Sequence, residues 1–405
     1  MRATRSRCGK LFSFPRALYY RVPTWSHPPC IAMTVLISAL AFLLLLTVLI
    51  LIHEWGHYTA AKKFGVIVEE FGFGLPPKAK TLFKRDGTEF TFNWIPFGGF
   101  VRLKGENAMT EKERRAPKSF SAAPIHARVI ILLAGVFMNL LLALIILTYG
   151  FAVGGWIPTY LSYDQMQAAG ERGEINLEMS VMISEVVSGG NAAKVGVPEE
   201  SVIRTINGET VVHPDDVPRI QENEWRVAYG VSEVVGGVVS DEIQEFRVMI
   251  TDGLAGIVIV PYPLELSAPN RNVFSAFAIA LRETRVMTSQ TVIGIGTLFG
   301  SLINTGRVPE GIAGIVGIAQ LTHGAVQEGF MHYLRLVALL SLSLAVLNVL
   351  PFPALDGGRL LFVLAEWISR KPVNRKFEVT TNAVGFVFLI LLILLITFND
   401  IIRLF

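Results

Sequence analysis

The sequence predicts an α-helical polytopic membrane protein with about four transmembrane helices, a membrane-associated β-hairpin and one inserted external α+β domain. Two observations on composition carry this prediction: 52% of the 405 residues are hydrophobic and only 17% are charged, against roughly 25% in ordinary globular domains. The third observation is that several apolar runs are long enough to cross a hydrocarbon core of about 30 Å at 1.5 Å per helical residue. These runs are residues 35–52, 129–153, 334–354 and 383–398.

Residues 1–32 form a basic extension with six Lys and Arg residues and no acid. The segment lacks the apolar core and the small-residue cleavage site of a secretory signal. We therefore predict that the functional protein begins at or near Met33 and that this extension is not part of it. Both cysteines, Cys8 and Cys30, lie in the extension, so a metal site elsewhere in the chain must use His and carboxylate ligands.

The basic loops predict the orientation of the chain. Lys and Arg cluster between the first two runs and again within residues 359–376, and the positive-inside rule puts both clusters in the cytoplasm. With four spans, both termini and residues 154–332 then lie outside. A fifth candidate, 286–303, is diluted by polar residues, and counting it as a span would move the second basic cluster outside. We therefore expect residues 271–332 to form amphipathic or surface-lying helices.

The charge pattern also bears on partners. The net charge is only +3, and the basic residues flank apolar runs instead of forming a stripe with interleaved aromatics. The lipid bilayer is an expected partner, and nucleic acid is not.

The sequence HEWGH, residues 53–57, ends the first apolar run. It fits the H-E-x-x-H pattern, in which His53 and His57 share one helical face and bind Zn²⁺ while Glu54 acts as general base. The alternative interpretation is that these polar residues mark a helix end that faces lipid headgroups. The motif lies at the inner edge of the membrane, just before Lys62 and Lys63, where ionisable side chains must face protein or water.

A catalytic zinc uses three protein ligands and an open position, so a third ligand must come from elsewhere. The third span runs from outside to inside and ends just before Asp356, which therefore arrives at the same membrane face as HEWGH. We predict His53, His57 and Asp356 as the zinc ligands. The alternative for Asp356 is an N-cap or turn residue before two glycines.

Three residues interrupt the third span shortly before Asp356: Asn348, Pro351 and Pro353. The prolines remove backbone donors and unwind the helix, and such backbone is tolerated only where protein or a water-filled cavity receives the freed groups. Backbone of this kind could bind an extended peptide. Alternatively, Asn348 caps a helix or bridges two helices.

Together, HEWGH and NVLPFPALDGG resemble the site-2 protease family of intramembrane zinc metalloproteases, in particular its bacterial regulator-of-sigma-E protease branch. The resemblance covers essentially Met33 to the C-terminus. It includes FGFG at 71–74, FNWIPFGGFVRLKGE at 92–106, LLAGVFMNLLLA at 132–143, GIAGIVGIAQ at 311–320 and FNDIIRL at 398–404.

The resemblance implies that His53, His57 and Asp356 bind zinc, that Glu54 activates water and that Asn348 helps to hold the substrate strand. It also implies a membrane-associated β-hairpin at 88–105 whose edge pairs with the unwound substrate, and TEFTFNWIPFGGFVRL does read as two short strands around a Pro and Gly turn. The alternative is an ordinary cytoplasmic hairpin. We assign substrate positioning to Asn348, Pro351, Pro353, Gly98 and Gly99.

Residues 154–270 separate the two halves of the membrane core, 33–153 and 333–405. They carry short strand-like runs, and GGNAAKVGVPEESVIRTINGETV resembles a PDZ domain. The resemblance implies a domain that admits only substrates already shortened outside, whereas the alternative is a passive structural role. Glu-Glu-Ser stands where Gly-Asp is common, which weakens the expectation of peptide-terminus binding more than that of the fold.

The function we expect is cleavage of a peptide bond within or near the transmembrane segment of single-pass membrane proteins in the bacterial inner membrane. The resemblance implies an anti-sigma factor or a remnant signal peptide as substrate, and an active site near the cytoplasmic face. The alternative from another class is a catalytically inactive, PDZ-bearing membrane scaffold with a structural metal site.

Overall fold

The computed structural model describes residues 31–403 apart from 107–109, 161, 222–223, 236–237, 252 and 372. Nearly all of the basic extension predicted at 1–32 therefore lies outside the described residues. The chain divides into two compact units. One comprises Thr159–Asn270, and the other comprises the described residues up to Pro158 and from Arg271 onwards.

The secondary-structure elements alternate between helical stretches and two groups of strands. In chain order they are α1 (Ile31–Lys63), β1 (Val68–Arg85), β2 (Thr88–Leu103), α2 (Glu111–Arg114), α3 (Ile125–Ala152), α4 (Tyr163–Glu171), β3 (Asn176–Val186), α5 (Asn191–Lys194), β4 (Ser201–Ile206), β5 (Glu209–Thr210), α6 (Asp216–Gln221), β6 (Arg226–Val235), β7 (Val238–Val239), β8 (Gln244–Met249), β9 (Ile257–Ser267), α7 (Val273–Thr305), α8 (Ile315–Glu328), α9 (Phe330–Val349), α10 (Asp356–Ser369) and α11 (Arg375–Ile402).

Five helices among the described residues are long and apolar enough to cross a membrane: α1, α3, α7, α9 and α11. Four of them correspond to the apolar runs identified in the sequence, and α7 contains the polar-diluted segment 286–303. The third run was expected to continue to residue 354, but α9 ends at Val349. The prolines at 351 and 353 explain this difference, because proline disfavours helical geometry in the residue before it and cannot donate a backbone hydrogen bond.

Close packing of α1 on α3 forms the centre of this unit. Gly56 makes the approach possible, since a Cβ atom at this position would lie 2.3 Å from the carbonyl oxygen of Ala134. On either side, buried Ala61 and Ile131 belong to one apolar cluster and buried Leu45 and Leu49 to another. The turn of α1 that carries HEWGH is thereby pressed against α3.

The sheet formed by β1 and β2 differs from the predicted hairpin. Residues 68–73 pair antiparallel with residues 99–103, from Val68 with Leu103 to Phe73 with Gly99. Residues 70–73 also pair on their other side with residues 89–92. In this second pairing the residue numbers of both segments increase in the same direction, from Glu70 with Glu89 to Phe73 with Phe92. The two halves of β2 are therefore separated by β1 instead of pairing across a Pro and Gly turn.

The reason for this arrangement lies in the residues 71–74, FGFG. Phe71 is almost fully buried and its ring packs on that of Phe90, with 5.6 Å between centroids. Gly72 leaves the space that the Phe100 ring occupies, because a Cβ atom there would lie 2.4 Å from that ring. The segment FGFG has glycine at every second position. It can therefore fit between residues 89–92 and residues 99–103.

Residues 99–103 and 78–85 each pair on only one side in the described register, so they are the edges of this sheet. Large apolar side chains near the 78–85 edge are exposed, including Phe83 at 51% and Trp94 at 72%. At the same edge, hydrogen bonds from the Thr81 hydroxyl and the Lys78 ammonium hold the pKa of the Glu89 carboxyl below its ordinary value.

The unit Thr159–Asn270 confirms the inserted, sheet-rich domain. Its strands pair antiparallel in the order β7-β6-β4-β3-β9, with β5 on β4 and β8 on β6. Short helices α4, α5 and α6 accompany the sheet. Alternate strand residues such as Ile183, Ile203 and Val227 are fully buried and form one apolar core, as expected for strands with one face covered.

A buried carboxylate joins the first turn of α8 to the last turns of α11. Asp400 Oδ2 accepts hydrogen bonds from the backbone N–H groups of Gly314 and Gly317, each at 2.8 Å. Replacing Asp400 with Ala is expected to lower stability by about 1–3 kcal/mol, because buried donors lose their acceptor. Thermal unfolding in detergent checks this, with Asp241→Ala at an exposed position as the control; equal melting temperatures for both variants would contradict it.

Candidate metal centre

Two distant elements bring three potential ligands together. The last third of α1 supplies His53 and His57, and their Nε2 atoms lie 3.1 Å apart. Asp356 is the first residue of α10, and its Oδ2 lies 2.9 Å from His53 Nε2 and 3.3 Å from His57 Nε2. These three residues form the one group of three or more His, Cys, Asp or Glu side chains that could hold a metal ion among the described residues.

The spacing of these atoms fits zinc. Tetrahedral coordination with bonds of about 2.0–2.1 Å separates neighbouring ligand atoms by about 3.3 Å. The two nitrogen atoms and one carboxylate oxygen observed here are 2.9–3.3 Å from one another. Three protein ligands leave one position open, as in catalytic zinc sites, whereas structural sites are closed by four ligands.

A backbone carbonyl fixes the orientation of the second histidine. His57 Nδ1 lies 2.8 Å from the carbonyl oxygen of Ile131, to which it donates, so Nε2 carries the lone pair that a metal requires. The ring is buried, with 8% of the residue exposed. The partner carbonyl belongs to α3, so this helix helps to hold the His57 ring in place.

A buried asparagine faces the first histidine in the same way. Asn139 Nδ2 lies 3.5 Å from His53 Nδ1, while Asn139 Oδ1 has no hydrogen-bond partner among the described residues. The oxygen and nitrogen of an amide are assigned by their hydrogen bonds. Turning the amide by half a rotation lets Oδ1 accept from His53 Nδ1–H, which leaves Nε2 of His53 available to the metal.

Gly135 makes the space in which both imidazoles lie. A Cβ atom at this position would be 2.5 Å from His57 Nε2 and 2.7 Å from His53 Cε1, closer than real Cβ atoms approach. Gly135 and Asn139 lie in the stretch LLAGVFMNLLLA, but neither residue has a predicted role. The available signal was their spacing, since positions i and i+4 lie on one face of a helix.

A cavity of about 330 Å³ opens in front of these side chains. Its lining residues include the two histidines, Asp356 and Glu54, together with Phe100 and Val101 of the edge 99–103. The predicted base, the three predicted ligands and an unpaired strand edge thus share one cavity.

The residues predicted to position substrate have different surroundings. Asn348 lines the cavity, and its Nδ2 donates to the Leu344 carbonyl within its own helix at 3.1 Å. Pro351 and Pro353 form the break after α9 but do not line the cavity, whereas Ala354 and Leu355 do.

The two glycines predicted to position substrate lie beside α1. A Cβ atom on Gly98 would meet the Ile50 side chain at 3.0 Å, and one on Gly99 would meet Leu51 at 2.8 Å. They allow the strand to lie close to the turn of α1 that precedes HEWGH, and they do not line the cavity themselves. Their role toward a substrate stays a prediction.

Known proteins match this chain over a range that includes the residues of this site. The family model described as peptidase family M50 matches residues 41–392, which include all three potential ligands and Glu54. The chain is 30% identical over 378 residues to a Clostridium perfringens protein that bears a provisional zinc-metalloprotease name, covering 91% of this chain and 99% of the relative.

Two Bacillus proteins are similar over the same share of both chains. The zinc metalloprotease RasP of Bacillus licheniformis is 26% identical over 454 residues, and the regulator of sigma-W protease RasP of Bacillus subtilis is 24% identical over 455 residues; each alignment covers 91% of this chain and 99% of the relative. These matches confirm the predicted site-2 protease family, the predicted metalloprotease class and the predicted use of zinc. The chain belongs to peptidase family M50.

Proposed function

We propose that this metalloprotease hydrolyses a peptide bond within or near the transmembrane segment of single-pass membrane proteins. The observation that carries the proposal is a single cavity, set among long apolar helices, that contains a His-His-Asp group, a glutamate and an unpaired strand edge. His53, His57 and Asp356 would hold Zn²⁺, which when bound would supply a Lewis acid to polarise the scissile carbonyl and to lower the pKa of water.

Glu54 acts as the general base in this proposal. It follows His53 directly in α1 and lines the same cavity. Its carboxylate takes a proton from the attacking water and passes it to the amine that leaves. The H-E-x-x-H spacing supports this role. In this motif the histidines at i and i+4 bind the metal, and the glutamate that follows the first histidine acts as general base.

The edge at residues 99–103 provides a place for the substrate backbone. A helical substrate must unwind before its carbonyl can be attacked, and the freed backbone groups need partners in a membrane. Strand addition at a sheet edge supplies such partners. Phe100, Val101 and Leu103 line the cavity with Glu54, so a substrate strand paired here would run past the metal ligands.

We infer four membrane spans, with α7 along the outer side. Residues 276–287 of α7 pack on the last turns of α3 and the first half of α9. Near its other end, Leu298 and Leu302 pack with Leu392 and Ile396 in the last third of α11. In the predicted orientation all these helix ends lie outside, which supports a helix that crosses the outer surface rather than the membrane. The site then lies near the cytoplasmic face of a bacterial inner membrane.

The name of the Bacillus subtilis relative connects that protein with sigma-W regulation. On this basis we propose a membrane-anchored anti-sigma factor as substrate, with remnant signal peptides as the other candidate. We further propose that the unit Thr159–Asn270 is a PDZ-like domain that regulates access of these substrates. Its antiparallel sheet with short accompanying helices supports the PDZ-like assignment.

The variant Glu54→Gln tests the proposal in the full chain reconstituted with a transmembrane peptide. We expect kcat/KM for cleavage to fall by about 10²–10⁴-fold, the contribution of a general base, while bound zinc is unchanged. Mass spectrometry of the products should locate the cut within or next to the apolar segment of the peptide. Cleavage that persists unchanged in Glu54→Gln would refute the mechanism, and loss of activity together with zinc would assign Glu54 a structural role instead.

A further inference from the structure

One arginine among the described residues lines the cavity of the candidate metal centre. Arg359 lies on α10 one helical turn after Asp356, and both side chains line the same cavity. The other ionisable residues among the described residues that line it are two histidines and the acids Glu54, Asp356 and Glu106. Arg359 is thus the only Lys or Arg among the described residues that line this cavity.

An ion pair to the sheet holds Arg359 in position. Its Nη1 donates to Glu106 Oε1, and Glu106 belongs to the loop that follows the edge 99–103. Glu106 is itself held at two points, because its Oε2 accepts from the backbone N–H of Leu103 at 3.3 Å and its carbonyl accepts from Arg375 Nη2 at 3.2 Å. The guanidinium therefore joins the helix that carries a potential ligand to the strand edge proposed for the substrate.

The ion pair with Glu106 uses only part of the guanidinium. Arginine has five N–H donors and stays charged at all pH values of interest, and the contact with Glu106 Oε1 is made by Nη1. About a third of the Arg359 side chain is exposed, and the cavity is one of the spaces it faces. A substrate carbonyl in the cavity would find a permanently charged donor there.

We propose that Arg359 is a catalytic residue that stabilises the negative charge developing on the scissile carbonyl oxygen. Peptide hydrolysis builds this charge in the transition state, and preorganised donors in a site with little water stabilise it far more than the same donors in water. Glu106 is the positioning residue in this scheme, since it acts through its ion pair with Arg359. The inference rests on the proposed cleavage reaction.

The experiment compares Arg359→Gln and Arg359→Lys with the wild type in the full chain. For Arg359→Gln we expect kcat/KM to fall by about 10²–10³-fold, the usual effect of removing one such donor, with full zinc content and a smaller change in KM. A peptidyl phosphinate, which is a stable tetrahedral anion, should bind more weakly by a similar factor, because transition-state analogues follow transition-state binding. Arg359→Lys should recover part of both losses.

Arg114→Gln is the matched control. Arg114 pairs with Glu366, which keeps a second partner in Arg128 at 2.7 Å, and Arg114 does not line the catalytic cavity. We expect its kcat/KM and phosphinate affinity to stay within a few-fold of the wild type. The inference is overturned if Arg359→Gln loses its zinc, or if it binds the phosphinate as tightly as the wild type does. A wild type that cleaves no transmembrane peptide would instead refute the proposed function, and phosphinate binding would still decide the role of Arg359.

Discussion

Replacing Asp356 with Ala is expected to strip the purified protein of zinc and abolish its peptidase activity. The side chain supplies the single oxygen atom of the candidate ligand set, 2.9 Å from His53 Nε2 and 3.3 Å from His57 Nε2. Loss of even an outer partner of a metal ligand costs about 10–100-fold in affinity, so loss of a direct ligand should cost more than 100-fold. Zinc per mole of protein, measured by elemental analysis, checks this.

Asp215→Ala provides the control for Asp356→Ala. Its side chain is 91% exposed and lies in the unit Thr159–Asn270, so both zinc content and activity should equal those of the wild type. Full zinc retention in Asp356→Ala would show that Asp356 is not a ligand. Its role would then be that of an acidic residue in the first turn of α10.

The second large effect is expected from a single added methyl group. In Gly135→Ala the Cβ atom would lie 2.5 Å from His57 Nε2 and 2.7 Å from His53 Cε1, so at least one imidazole must leave its position. We expect zinc binding and activity to fall by more than 100-fold, since ligand geometry is lost although every ligand is still present. Zinc content and peptide cleavage measure the effect.

Gly296→Ala is the matched control for this change. Gly296 also lies inside a long helix, but a Cβ atom there would meet nothing within 4 Å. This variant should keep its zinc and gain slightly in helix stability, because Ala is the better helix former by about 1 kcal/mol. Normal zinc content in Gly135→Ala would contradict the close contact between α3 and the two histidines.

Some of the candidate site could be predicted because its signals are local. HEWGH places two imidazoles on one helical face whatever surrounds the helix, and the positive charges after it indicate the side of the membrane. Asp356 required one further step, a count of the spans between two points 303 residues apart. That count predicts a shared membrane face without any distance, because alternate spans return to the same side. The structure places Asp356 Oδ2 2.9 Å and 3.3 Å from the two imidazoles.

The sheet illustrates what a local pattern leaves open. The alternation in TEFTFNWIPFGGFVRL correctly indicated strands, and a Pro and Gly turn between them suggested that they pair with each other. The preceding FGFG segment lies between them instead, since Phe71 is buried against Phe90 and Gly72 makes room for Phe100. Strand order depends on which side chains pack together, and the sequence of a single strand does not specify which strand it pairs with.

The sequence by itself determined the kind of protein and led to the predicted ligand types and the predicted membrane face, because hydropathy, helical spacing and loop charge are properties of short segments. The tertiary structure alone decided which groups surround the candidate ligands and Arg359: Gly135 beside both imidazoles, Asn139 beside His53, and Glu106 on Arg359. These contacts join helices and strands far apart in the chain. Their distances follow from packing, which no periodicity within one segment encodes.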